Sequence, residues 1–300
     1  MIWGGMKTLV HAVIPGLCIT SGSDTVKRLN HIMVAPPKGA GCDANDDRRL
    51  GDLTLPEHPA QFVTRADGVR LAYRHLPGCG PTLVFLPGYK SDMQGGKAQA
   101  LAAWAADKGV ALLRLDYSGC GESAGVFEDG TLDIWRDDVL AVLAEANIGP
   151  IILIGSSMGG WLMLLVAEAL GDQVTAMVGI AAAPDFTDWD FDDADRATIA
   201  ATGRIERPSD YGYDPVVITK GFWQSGQSNL LLNGAVGIDC PVRLIHGQCD
   251  PDVPWETSVK LARALRSSDV QTMLLKDGDH RLSRDQDIAV LIDVVTKLAC

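Results

Sequence analysis

The 300-residue sequence predicts an α/β fold, a mostly parallel sheet covered by helices on both faces. Two observations carry this. Short apolar runs with no polar interruption recur along the chain, as strands buried on both faces require. Between them lie stretches with helical spacing, so that strand and helix alternate.

The first element begins near Gln61. QFVTR (61–65) and VRLAYRH (69–75), separated by Ala66-Asp67-Gly68, read as a β-hairpin with a D-G turn. PGCGP (77–81) ends it, and TLVFLPG (82–88) is the first buried strand. Residues 97–108 follow with Ala98, Leu101, Ala102 and Ala105 on one side of a helix, and VALLRLD (110–116) is the next strand. Thr131 suits an N-cap for a helix through Ala146, with Leu132, Trp135, Val139, Leu140 and Leu143 as its apolar stripe. IILIG (151–155) is a strand, Met158 to Leu170 a helix stopped by Gly171, and VTAMVGIAAA (174–183) a strand. PVRLIHG (241–247), Glu256 to Arg266, VQTMLLK (270–276) and Gln286 to Leu298 continue as strand, helix, strand and helix.

Two regions depart from the alternation. Residues 1–58 lack strong periodicity, and PPKGAGCDANDDRRLGD (36–52) has linker composition, so a poorly ordered extension is expected ahead of a single domain over 59–300. Residues 184–239 are acidic, aromatic and Pro/Gly-rich, and too long for an ordinary connection. They are expected to form an inserted lid above the strand ends, where open α/β sheets bind ligands.

Composition narrows the partners. A net charge of −12, with the 26 Lys and Arg dispersed, argues against nucleic acid. Seven cysteines, at 18, 42, 79, 120, 240, 249 and 300, have scattered spacings and no C-x-x-C pair, so reduced thiols are expected rather than a disulfide framework or zinc site. No run approaches the roughly 18 apolar residues of a membrane-spanning helix. LVHAVIPGLCIT (9–20) is a poor secretion signal, because His11 and Pro15 interrupt its apolar core. A monomer is expected.

The pattern G-x-S-x-G occurs twice, around Ser123 (GESAG) and around Ser157 (GSSMG). A nucleophile elbow needs a strand running into the turn and a helix leaving it. IILI precedes the Ser157 copy and GGWLMLLVAEAL follows it, whereas Ser123 lies well past the end of its strand and is followed by VFEDG. Ser157 is therefore the expected nucleophile. Its position at a helix N-terminus favours developing negative charge, and the backbone N–H of Met158 is the expected first oxyanion donor. The second is the N–H of Tyr89, just after the strand ending Leu86-Pro87-Gly88.

The partners of such a serine follow in the chain order acid, then histidine. Asp250 lies just beyond the strand ending in His246-Gly247, with Asp252 and Asp279 as rival acids. His280, in KDGDHRL after the last strand, is the expected base, and His246 is its one competitor, better suited to a structural hydrogen bond.

LPGYKSDMQGGKA, LRLDYSGCGESAG, TLDIWRDDVL, IGSSMGGWLM, CPVRLIHGQCDPDVPW and DHR resemble the α/β-hydrolase superfamily, in the branch holding mitochondrial mycophenolic acid acyl-glucuronide esterase, also described as a palmitoyl-protein thioesterase. The resemblance runs from about Gln61 to the C-terminus. It implies hydrolysis of carboxylic esters or acyl thioesters through an acyl-enzyme, without metal or organic cofactor, and places nucleophile, acid and base on Ser157, Asp250 and His280. Phe186, Trp189, Phe191, Phe222, Trp223 and Trp255 are candidates for an acyl pocket, or else stitch the lid to the core. A cytoplasmic location is expected, with the mitochondrial matrix of the resembled branch as the alternative. A cofactor-free haloperoxidase on the same three residues and a non-catalytic binding protein are the rival functions.

Overall fold

The computed structural model describes residues 58–208 and 215–299, so the expected N-terminal extension lies, apart from His58, outside the described residues. The chain begins with β1 (Gln61–Thr64), β2 (Arg70–Leu76) and β3 (Cys79–Leu86). Then come α1 (Gly96–Lys108), β4 (Val110–Leu115), α2 (Leu132–Ala146), β5 (Ile151–Ser156), α3 (Met158–Leu170) and β6 (Val174–Ile180). The 184–239 segment carries α4 (Phe186–Trp189), α5 (Asp193–Thr202), β7 (Arg204–Arg207), β8 (Val216–Thr219) and α6 (Lys220–Ser228). β9 (Val242–Gly247), α7 (Glu256–Ala264), β10 (Val270–Leu275) and α8 (Asp285–Ala299) close the chain.

Eight strands form one sheet in the order β1-β2-β4-β3-β5-β6-β9-β10. The pairings of β2 with β1 and β4 are antiparallel, and from β4 to β10 every pairing is parallel. The unbroken apolar runs have a direct structural reason. Ile151 and Leu153 of β5 enter the hydrophobic cluster that contains α2 and α3, while Ile152 and Ile154 enter the opposite cluster with α1 and α8. Successive side chains point to opposite faces and both faces are covered, so neither tolerates a polar residue. Leu83 and Phe85 alternate with Val84 and Leu86 in the same way along β3.

Local chemistry sets the ends. Thr131 caps α2, its side chain accepting from Ile134 N–H at 3.2 Å. Two boundaries differ from the sequence expectation by three residues. β3 starts inside PGCGP, because Cys79 N–H already bonds Gly109 O at 2.8 Å and a register irregularity before Leu83 absorbs the bend. β6 stops at Ile180 rather than Ala183, because Ala181 takes a left-handed φ of 44° and turns the chain toward Ser157.

The topology creates one special place. From β3 the chain moves outward to β4, then returns across β3 to β5 and onward to β6. Consequently α1 after β3 and α3 after β5 lie on opposite faces, and a crevice opens between the carboxyl ends of β3 and β5.

Candidate active site

Ser157 sits at that crevice, between the last residue of β5 and the first of α3. Its φ of 54° and ψ of −120° are sparsely populated for a residue with a side chain and cost on the order of 1–3 kcal/mol. The surroundings hold it there: Ser157 N–H donates to Ile180 O at 2.9 Å, and its carbonyl accepts from Gly160 N–H at 2.8 Å and Ala183 N–H at 3.1 Å. The flanking glycines answer a demand for space. A Cβ on Gly155 would stand 2.3 Å from Gly159 O, and one on Gly159 would stand 2.2 Å from Leu86 O. The start of α3 thus packs directly on the end of β3.

His280 and Asp250 meet this serine from the loops that follow β10 and β9 at the same end of the sheet. His280 Nε2 is 3.0 Å from Ser157 Oγ, and its Nδ1 is 2.8 Å from Asp250 Oδ2. The two loops that carry them are joined. Gln248 N–H donates to Leu275 O at 2.8 Å and Cys249 N–H to Gly278 O at 2.9 Å. Contact at this range is open only to glycine at 247, where a Cβ would lie 2.2 Å from Gly278 O. On the other side of His280, Lys97 of α1 donates from Nζ to Arg281 O at 2.5 Å. Burial, with repulsion from Arg281, pushes the Lys97 ammonium down to about 8.

The Asp250 side chain is fully buried. Its Oδ1 accepts from Asp252 N–H at 2.9 Å and Val253 N–H at 2.8 Å, and its Oδ2 faces His280 Nδ1 and His246 Nε2, the latter at 3.2 Å. Burial pushes this carboxyl up, but the hydrogen bonds from His246 and His280, the charge of His280 and the bond from Val253 outweigh it and hold the group well below the usual carboxylate range. Asp250 is an anion throughout the neutral range.

The rival residues have other partners. Ser123 Oγ accepts from Ala72 N–H at 2.8 Å and donates to Asp116 O at 2.7 Å, locking the end of β4 to β2. Its glycines serve a tight wrap around Asp116, since a Cβ on Gly121 would lie 2.1 Å from Asp116 Oδ2. Asp279 accepts from Leu282 N–H at 2.9 Å, turning the chain into the approach to α8. Asp250, Asp252 and His280 offer potential ligand atoms within 4.8 Å of one another. The Asp250 oxygens and His280 Nδ1 already serve the hydrogen bonds above, which leaves this cluster poor in free lone pairs for a cation.

Met158 N–H opens α3, and Gly88 lies against the serine, where a Cβ would be 3.3 Å from Ser157 Cβ. The peptide from Gly88 to Tyr89 therefore runs beside Ser157. The Tyr89 ring is held away from it, with its hydroxyl donating to Val217 O of β8 at 2.7 Å and its face edge-on to Phe127, Trp135, Phe186 and Phe222. Burial pushes that phenol up. Of the aromatic candidates, Phe186 and Phe222 belong to this seam, which joins the 184–239 segment to the loop after β3 and to α2 and α3. Trp189 and Trp255 instead line a cleft of about 530 Å³ with Leu232, Pro254 and Val259, a few residues beyond Asp250. From the sequence, His246 is expected to make only a structural hydrogen bond. Its i,i+4 spacing to Asp250 was the available signal, whereas nothing in the sequence marked Ser258, whose Oγ is 2.7 Å from His246 Nδ1.

This sheet, with its serine at the turn after β5, defines a class, and comparison agrees: residues 83–294 match the α/β-hydrolase family, and the chain belongs to that family. A second family, of unknown function, matches residues 1–36. The chain is 38% identical over 246 residues to human palmitoyl-protein thioesterase ABHD10, mitochondrial, covering 79% of this chain and 80% of that protein. The Pongo abelii protein of the same name is 39% identical over the same span. The structure of mouse alpha/beta hydrolase domain-containing protein 10 superposes with a TM-score of 0.75 at 39% identity, over 80% of this chain and 98% of that one. Est1E of Butyrivibrio proteoclasticus with bound ferulic acid, 22% identical with a TM-score of 0.66, shares the fold over 79% of this chain and 97% of that one. Among the described residues no helix is long and apolar enough to cross a membrane.

Proposed function

We propose that this chain is a serine hydrolase that cleaves acyl thioesters or carboxylic esters through a covalent acyl-enzyme. The observation that carries the reading is the continuous hydrogen-bonded path from Ser157 Oγ through His280 to Asp250. His280 Nε2 takes the serine proton as Oγ attacks the acyl carbon, then returns it to the leaving thiol or alcohol. Water activated by the same nitrogen releases the acid. Asp250 holds the Nδ1–H tautomer and balances the imidazolium. The N–H groups of Met158 and Tyr89 receive the oxyanion, each worth about 100- to 1000-fold in rate. The reading requires no metal or organic cofactor.

The names of the mammalian relatives support a long-chain acyl thioester, including an acylated protein, as substrate. The cleft that holds Trp189 and Trp255 is also lined by Glu256, Lys260 and Arg263 and does not include Ser157, so the substrate class rests on the relatives. A fluorophosphonate probe with mass mapping, and kcat/KM for acyl esters and matching thioesters of increasing chain length, test this together. Expected are labelling at Ser157, loss of labelling and turnover in Ser157→Ala, and a preference for long-chain thioesters. Turnover that survives in Ser157→Ala refutes the assignment.

A further inference from the structure

His246 is fully buried, and its ring makes three polar contacts. Nε2 lies 3.2 Å from Asp250 Oδ2 and 3.1 Å from Val253 O, while Nδ1 lies 2.7 Å from Ser258 Oγ on α7. Both neighbours of Nε2 are acceptors, so that nitrogen carries the proton. The neutral ring then offers Nδ1 as an acceptor to the Ser258 hydroxyl. This tautomer is the mirror of the one at His280, which presents Nδ1–H to the same carboxylate oxygen.

We infer that His246 is a positioning residue whose Nε2–H shares Asp250 Oδ2 with His280, extending the path to Ser157, His280, Asp250, His246 and Ser258. The inference rests on the proposed hydrolase reading for its consequence in turnover, but the contacts stand on geometry alone. Two effects follow. Oδ2 is held in direction, since two donors converge on it while Asp252 N–H and Val253 N–H hold Oδ1. The second donor also draws charge from Oδ2, which weakens its hold on a protonated His280. Removing that donor leaves more charge facing His280, so the imidazolium is favoured and its midpoint rises. Activity needs His280 neutral, so the acid limb of kcat/KM moves to higher pH. Among the described residues, the other charged groups at this corner include Asp252 and Asp279 on the loops, Arg281 beside His280, Lys97 from α1 with Asp287 of α8 near it, and Asp190 beyond Asp252. A change at His246 leaves each of these in place.

The test compares His246→Asn with His246→Gln. Both are polar and buried, but the longer Gln amide reaches Asp250, whereas Asn reaches only toward Ser258. The His280 midpoint is followed by proton–nitrogen NMR in the full chain, which needs no turnover, and kcat and KM are measured on an acyl thioester. Expected for His246→Asn are a raised midpoint and a fall in kcat of about 10- to 100-fold at nearly constant KM, with His246→Gln restoring the midpoint. A wild-type midpoint and kcat in His246→Asn, or identical behaviour of the two variants, overturns the inference. If either variant fails to fold, the wild-type spectrum decides: Nε2–H at His246 is required, and Nδ1–H refutes it. Absence of fluorophosphonate labelling at Ser157 overturns the hydrolase reading instead, and leaves the NMR comparison intact.

Discussion

Replacing Asp250 by Asn changes one atom and removes one charge, yet the structure assigns it a large effect. The carboxylate accepts from four N–H groups, two backbone and two imidazole. An Asn has one acceptor oxygen. If that oxygen keeps the two backbone bonds, the NH2 group faces His246 Nε2–H and His280 Nδ1–H, and donor meets donor. His280 is the more exposed and freer of the two rings, so it moves its proton to Nε2 and presents a donor where Ser157 Oγ needs an acceptor. The same substitution in the Ser-His-Asp template costs about 10⁴-fold in kcat, about 5 kcal/mol of transition-state stabilisation. We expect a loss of that order in thioester turnover and a parallel fall in the rate of fluorophosphonate labelling, while KM stays within a few-fold. The assay is single-turnover acylation at neutral pH with circular dichroism as the check on folding. A folded Asp250→Asn retaining more than about a tenth of wild-type kcat would refute the claim that this carboxylate selects the tautomer.

Four further outcomes follow from the same geometry. Ser123→Ala leaves turnover within a few-fold but strands Ala72 N–H and Asp116 O, so urea unfolding should register a loss of about 1–3 kcal/mol, the reverse of the pattern in Ser157→Ala. Ser157→Gly should be inactive yet unfold about 1–2 kcal/mol later than Ser157→Ala, since glycine tolerates a φ of 54° without strain; equal stability would show that the turn is relaxed. Gly159→Ala places a methyl 2.2 Å from Leu86 O and must displace the turn that carries Tyr89 N–H, so it should lose stability and about 100-fold or more in kcat together; normal kinetics would remove Tyr89 from the oxyanion role. The held-down Asp250 carboxyl stays ionised above its lowered value, so its stabilising contribution is present above the unfolded value and lost only as pH falls well below it. Asp250 should therefore add no ionisation of its own to the acid limb of kcat/KM, and one near pH ~4, the ordinary carboxylate value, would contradict it.

The hairpin at Asp67-Gly68, the buried strands and the helices at 97–108, 132–146 and 158–170 were legible because each is dictated locally. A two-residue alternation between two covered faces leaves an apolar run, a threonine cap marks a helix start, and a strand–serine–helix sequence marks the elbow. Chain order and position just beyond the last strands point to Asp250 and His280, and the family's motifs fall on the same residues. Tertiary structure alone decided that Tyr89 hangs from β8 by its hydroxyl and that Trp189 and Trp255 line one cleft. It alone decided that Asp250 serves two imidazoles with Ser258 behind the second. Those facts depend on how loops from β3, β5, β9 and β10 converge at one sheet end, over separations of 123 residues between Ser157 and His280 and 30 between His280 and Asp250. Periodicity reports a residue's own face and its near neighbours, whereas a hydrogen bond between distant loops is set by the sheet order and by the glycines at 159 and 247 that let backbones touch.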